Sequence, residues 1–93
     1  MKYQITASSA FKRAFRKTVG KNKTLAENIA LTIVAIQENP FTPSLKTHKL
    51  QGKLKDAYSA SAGYDLRIIF DISKMDGQNC IVLLSVGTHD EVY

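Results

Sequence analysis

The stretch Cys80-Ile81-Val82-Leu83-Leu84-Ser85-Val86, running into Gly87-Thr88-His89-Asp90-Glu91-Val92-Tyr93, decides how this chain reads. Its first half is almost wholly apolar, the composition of a strand buried on both faces. Its second half hangs an imidazole and a terminal phenol directly off that strand, and reactive groups are held most accurately on rigid elements. Just upstream, Tyr64 to Ile72 alternates, with Leu66, Ile68, Phe70 and Ile72 on one face and Asp65, Arg67, Ile69 and Asp71 on the other. Asp76-Gly77 between the two runs is a hairpin-turn signal. The pattern predicts an antiparallel hairpin with one core face and one polar face, Asp65 and Arg67 projecting from the polar one.

Outward from the hairpin, Ala57 to Ala62 is small and polar and reads as a further strand, and Pro40 to Leu45 as a turn-rich connector. Thr24-Leu25-Ala26-Glu27 is a capping-box pattern that opens a helix running to about Glu38, with Ala26, Ile29, Ala30, Ile33 and Ile36 on a broad buried face. Asn39-Pro40 ends it, because proline disfavours helical geometry in the residue before it. Ser8-Ser9 offers capping hydroxyls to a first helix, Ala10 to Val19, whose Phe11, Ala14, Phe15 and Val19 line one side while Lys12, Arg13, Arg16 and Lys17 line the other. Lys2 to Ala7 alternates as a short strand does. The expected fold is α+β, in the order β-α-α-β-β-β, with two N-terminal helices packed on one face of a small, mainly antiparallel, twisted sheet and the second face partly bare.

At 93 residues, 1–93 is expected to be a single domain burying roughly 60–65% of its unfolded surface. The lone cysteine, Cys80, permits no internal disulfide and fits a small core residue in a reducing cytosol. No signal-like N-terminus is visible, and the longest oily run, Ile29 to Ile36, falls far short of a membrane span. A soluble cytoplasmic protein is expected. The net charge is +5, and no acid precedes Glu27. The segment from Ser44 to Lys55, with Lys46, Lys49, Lys53 and Lys55 around His48, also lacks carboxylates. Such fields attract polyanions, although the cations of the first helix read equally well as a solubilising face. Two distant histidines and one buried cysteine offer no structural-zinc spacing, so neither metal nor cofactor is expected, and no glycine-rich phosphate loop is present.

Three segments, Leu45 to Lys55, Tyr64 to Phe70 and Gly87 to Tyr93, in that order across these elements, resemble the RelE/ParE superfamily of bacterial toxins and, within it, the YafQ-like mRNA endoribonucleases. The similarity covers nearly the whole chain. It implies a toxin that enters the ribosomal A site and cuts mRNA there, is held inactive by a cognate antitoxin, and meets operator DNA only through the antitoxin complex. His48, Asp65, His89 and Tyr93 match active positions of that family, and Ser61 stands where a further histidine is expected. Arg67 matches a strand arginine that many relatives place on the scissile phosphate.

Metal-free RNA cleavage needs a base for the ribose 2′-OH, cations for the phosphorane-like transition state and an acid for the departing 5′-oxygen. Imidazole suits the proton steps, since its ordinary pKa of about 6.5 keeps both forms available. The resulting expectation gives His89 the leaving-group proton and Arg67 the phosphate, with help from Lys53 or Lys55. His48 and Asp65 serve as base or orienting groups, Lys46 and Lys49 bind RNA, and Tyr93 stacks on a base. By residue type alone, His48 is equally a phosphate-binding residue, Asp65 and Arg67 a surface ion pair, and Tyr93 a packing residue. The rival functions are a gyrase-binding, non-nucleolytic toxin of the same fold, and a weakened toxin acting mainly as its antitoxin's repressor partner.

Overall fold

The computed structural model describes residues 3–50, 57–63 and 65–92. The elements are β1 (Gln4–Ala7), α1 (Ser9–Val19), α2 (Lys23–Glu38), a 3-10 turn (Pro43–Leu45), β2 (His48–Lys49), β3 (Tyr58–Ser61), β4 (Leu66–Met75), β5 (Gln78–Thr88) and α3 (His89–Val92). The strands form one sheet in the order β1-β5-β4-β3-β2. β1 runs parallel to β5, and the remaining pairs are antiparallel. The α+β architecture is as the sequence predicts. The short edge strand β2 and the one-turn α3 are additions to the expected order β-α-α-β-β-β.

β4 and β5 make the expected hairpin. Asp76 and Gly77 both adopt positive φ, 53° and 80°, the backbone that a tight two-residue turn between twisted strands requires. The ladder starts at Met75↔Gln78 and shifts register by one residue between Ile69 and Phe70, where Ser85 and Leu83 are their partners and Leu84 is left as a bulge. Consequently β5 is not buried on both faces along its length. Ile81, Leu83 and Val86 enter the core, while Val82, Leu84 and Ser85 are half-buried. Cys80 is buried as expected but lies on the other side of the sheet from that core, its Sγ 3.7 Å from Gln4 Oε1.

The core forms where α1 and α2 press on the face carrying Ile68, Phe70, Ile81, Leu83 and Val86. From α1 it takes Phe11, and from α2 it takes Ile29 and Ile36, seven residues and two turns apart on one stripe. Each fully buried side chain of this size stabilises the fold by about 1.5–3 kcal/mol. The buried face of α2 is narrower than its periodicity predicts, since Ala26 and Ile33 are half-buried and Ala30 is exposed. The α2 C-terminus clasps β1: Tyr3 N–H donates to the Gln37 carbonyl at 2.9 Å and Gln37 Nε2 to the Tyr3 carbonyl at 3.0 Å. The second face is less bare than expected, because Ser59 and Ile69, which pair across β3 and β4, are almost completely buried on it.

The two helix starts differ in how well the sequence marks them. Ser8 caps α1 as expected, its Oγ accepting the Phe11 N–H at 3.0 Å. The cap of α2 is not Thr24 but Asn22, whose Oδ1 accepts the Leu25 N–H at 3.0 Å, so Thr24 and Glu27 already lie inside the helix. Asparagine is among the strongest capping residues, and it stands two residues earlier in the turn that leaves Gly20. Asn22→Ala is therefore expected to cost about 1 kcal/mol and Thr24→Ala no more than about 0.5 kcal/mol, as measured by urea unfolding midpoints at constant m-value.

Candidate active site

The site is built on the sheet face opposite the helices. Residues facing each other across paired strands project from the same side, so the pairs His48↔Ser59, Ser61↔Arg67 and Arg67↔Gly87 place His48, Ser61, Arg67 and Gly87 on this face. Lys49, one residue on from His48, projects to the other side beside Tyr58 and is exposed. The short edge strand that carries His48 is anchored from the connector. Lys46 ends the 3-10 turn in a left-handed conformation (φ 51°), and Thr47 Oγ1 donates to the Pro40 carbonyl. The exposed His48 ring sits with Nδ1 3.3 Å from the Lys46 carbonyl oxygen.

Asp65 is not on a strand. It closes the turn between β3 and β4 with φ 59°, a left-handed conformation that aspartate tolerates better than most residues. The turn is held by the Ala62 N–H on the Leu66 carbonyl at 2.9 Å and by Ser61 Oγ on the Gly63 carbonyl at 3.2 Å. Ser61, at the position where the family resemblance expects a histidine, thus serves the turn. Its short side chain is spent on local backbone. Arg67 is half-buried, with Nη1 donating to the Leu66 carbonyl at 3.0 Å, and no ion pair joins it to Asp65 among the described residues.

Lys46, Ser61, Gly63, Asp65 and Arg67 line one open hollow of about 290 Å³. Two cations, one carboxylate and one hydroxyl around a concavity of that size suit a phosphodiester better than an apolar ligand. His48 is outside the lining, two residues along from Lys46. His89 is outside it as well. It opens α3 directly after Thr88, with its side chain about half exposed and Nδ1 3.7 Å from Asp90 Oδ1. α3 nevertheless belongs to the same side of the sheet as Arg67, because a Cβ added at Gly87 would point at Glu91 and Val92. Lys53, Lys55 and Tyr93 lie outside the described residues.

The sequence reading missed what fixes α3. Thr88 N–H donates to Glu91 Oε1 at 2.9 Å, and Glu91 N–H to Thr88 Oγ1 at 3.3 Å, a reciprocal capping box. The Thr-x-x-Glu signal is present in the sequence, without the apolar helical run that usually accompanies it. The Thr88 amide, then the Thr88 hydroxyl, hold the Glu91 carboxyl below the ordinary carboxylate range, and Lys17 adds a smaller pull in the same direction.

The fold, two helices on one face of a five-stranded, mainly antiparallel sheet, is that of toxin structures of the RelE and YoeB type. A family model described as the bacterial toxin of the type II toxin-antitoxin system, YafQ, matches residues 3–93, and the chain belongs to that family. Among solved structures, the fold is similar to the YoeB/ParE toxin from Agrobacterium tumefaciens, with 14% identity, TM-score 0.76 and coverage of 92% of this chain and 98% of that one. A point mutant of YafQ from E. coli shows 17% identity, TM-score 0.75 and 98% coverage of both chains. The heterotetrameric YoeB-YefM toxin-antitoxin complex from Staphylococcus aureus shows 20% identity and TM-score 0.71 over 96% of this chain and 99% of that one. A search by sequence among curated proteins gives no match.

The lowered Glu91 acidity fixes the sign of a pH effect. A carboxyl that titrates lower when folded stabilises the fold above its unfolded value, 4.5, and that contribution is lost as pH falls through the folded value. Amide exchange at Thr88, followed by NMR from about pH 6 down to about pH 3 and corrected for intrinsic rates, is expected to lose protection only below 4.5 and before global unfolding.

Proposed function

We propose that this toxin is a ribosome-dependent endoribonuclease that cuts mRNA in the A site without a metal ion. The observation that supports the reading is the hollow itself, in which Lys46 and Arg67 converge beside Asp65 while His48 stands on the adjoining edge strand and His89 opens the turn on the same side. The scissile phosphate sits against Arg67 and Lys46, whose cations stabilise the dianionic phosphorane. His48, oriented together with Asp65, takes the 2′-OH proton as the 2′-oxygen bonds to phosphorus. The P–O5′ bond breaks, and His89 gives its proton to the departing 5′-oxygen. The products are a 2′,3′-cyclic phosphate and a 5′-hydroxyl. Few acid/base groups are present, so the ribosome supplies the substrate alignment that a larger site would build for itself. Lys53 and Lys55 extend the RNA-binding field, to which Lys49, projecting to the other side of the edge strand, adds only long-range charge, and Tyr93 stacks on a base.

The partner in this reading is a cognate antitoxin, and the opposite side of the molecule offers it a seat. Between α1 and α2 a cleft of about 540 Å³ is floored by Ile5, Ala7 and Leu83 and walled by Phe11, Phe15 and Ile33, with Lys12 and Arg16 at its rim. Leu31 and Val34 continue the apolar surface along α2, exposed by 69% and 54%. An acidic amphipathic helix fits both the apolar floor and the cationic rim. Ile33→Asp is expected to weaken the antitoxin complex by at least about 10-fold in calorimetric titration while leaving ribosomal cleavage intact.

For the catalytic reading, primer extension on a transcript translated in vitro is expected to show cuts in codon register with the wild-type toxin. Cleavage is expected to fall by about 100-fold or more with His89→Ala. Cleavage by His89→Ala at the wild-type rate would remove the general-acid role, and intact transcript with the wild-type toxin would remove the nuclease reading altogether.

A further inference from the structure

We infer that Glu91 is the positioning residue of the site: with Thr88 it forms the reciprocal cap that holds α3 on Gly87 and so sets where His89 points. The inference rests on the nuclease reading above, since it concerns the histidine that reading uses as the acid. Four residues make a single turn, and a single turn in water does not hold itself together. Something must hold α3 in place, and the structure shows two devices. One is the cap, Thr88 N–H to Glu91 Oε1 at 2.9 Å and Glu91 N–H to Thr88 Oγ1 at 3.3 Å. The other is a close approach: a Cβ at Gly87 would stand 3.0 Å from Glu91 Oε1, 3.2 Å from Glu91 Cβ and 3.4 Å from Val92 Cγ1.

The turn lies close over Gly87, so a side chain there would press on Glu91 and Val92. Its strand partner is Arg67, and the partner of Thr88 is Leu66, which precedes Arg67. The contact that seats the turn is therefore one strand away from the backbone of the proposed phosphate-binding arginine. His89 lies between the two capping residues in sequence, so its backbone direction is set once Thr88 and Glu91 are joined. Glu91 itself is occupied by this bond and takes no proton in the scheme. Lys17 of α1 draws the same carboxylate from the other side.

The test compares Glu91→Ala, Glu91→Gln, Thr88→Val and His89→Ala on translating ribosomes, with melting temperatures in parallel. Glu91 is exposed, so its replacement is expected to leave the melting temperature within about 2 °C. Glu91→Ala is expected to lower kcat by about 10-fold with KM for the ribosome unchanged, and Glu91→Gln, which keeps an acceptor for the Thr88 amide, to restore it to within about 3-fold. Thr88→Val removes the other hydrogen bond of the same cap, so combining it with Glu91→Ala is expected to cost less than the product of the two single losses, because both act through one device. If His89→Ala is inactive and Glu91→Ala cleaves at the wild-type rate, the positioning role is wrong and the acid assignment stands. Equal losses in Glu91→Gln and Glu91→Ala would also overturn it, by making the charge rather than the cap the requirement. If His89→Ala cleaves normally, the acid assignment fails and the positioning role fails with it.

Discussion

The register of β4 on β5 is the constraint from which the rest of the molecule follows. Counted from the Asp76-Gly77 turn without interruption, the ladder would set Val86 opposite Arg67 and Gly87 opposite Leu66. The bulge at Leu84 advances β5 by one residue, so Gly87 meets Arg67 and Val86 meets Ile68. A one-residue slip turns every side chain beyond it to the opposite face. Because of that slip, Leu83 and Val86, three apart, both enter the core, and a glycine stands beside Arg67, where an added Cβ would come within 3.0–3.4 Å of α3 side chains. The bulge is held in place: the Ser8 N–H donates to the Leu83 carbonyl at 3.0 Å and Ser8 Oγ to the Leu84 carbonyl at 3.5 Å. The residue that caps α1 therefore also pins the irregularity that builds the site.

Where local chemistry decides a feature, the sequence announces it. Alternation in Leu66 to Ile72, the turn at Asp76-Gly77, the cap at Ser8 and the stop at Asn39-Pro40 all read correctly, because each depends on residues within a few positions of one another. Some local signals were still misplaced, the cap at Asn22 rather than Thr24 and the Thr88/Glu91 box among them, because competing caps stand within two residues or no apolar run follows. The other features that did not read depend on partners far along the chain. Nothing near Leu84 in sequence marks a bulge, since its cause is the need to bury both Leu83 and Val86 against helices from the N-terminal half. Ile69 breaks the polar pattern of its strand face for a related reason, being buried beside Ser59 on β3. At the site, the residue types around Arg67 were legible, but the assignment of Asp65 to the strand was not. The hairpin turn claims that residue because Ala62 bonds back to Leu66.

The two faces of the sheet divide the chemistry. One is apolar and carries α1 and α2 with the cleft between them, and the other gathers Lys46, Asp65 and Arg67. A net charge of +5 acts on both, but differently. On the cleft side the cations rim an apolar floor, so they would orient the proposed partner while buried area supplied most of its binding energy. On the open side Lys46 and Arg67 line the hollow itself, where, in the proposed reading, a phosphate would take two cations at once.

That division bears on how an antitoxin would silence the proposed nuclease. A helix seated in the cleft touches β1 and β5 from the core side and leaves Arg67 open, because β4 is two strands in from the β1 edge and the hollow faces the other way. Blocking the hollow requires the partner to continue around the sheet. Two inter-strand spacings plus the thickness of the sheet come to about 20 Å, the reach of roughly six extended residues. The cleft would then supply the anchor and a short acidic extension the competition with phosphate, raised in effective concentration by the anchor rather than by its own affinity. Such a division lets a weakly binding extension suffice, because tethering replaces the intrinsic strength that a free competitor for Arg67 and Lys46 would need.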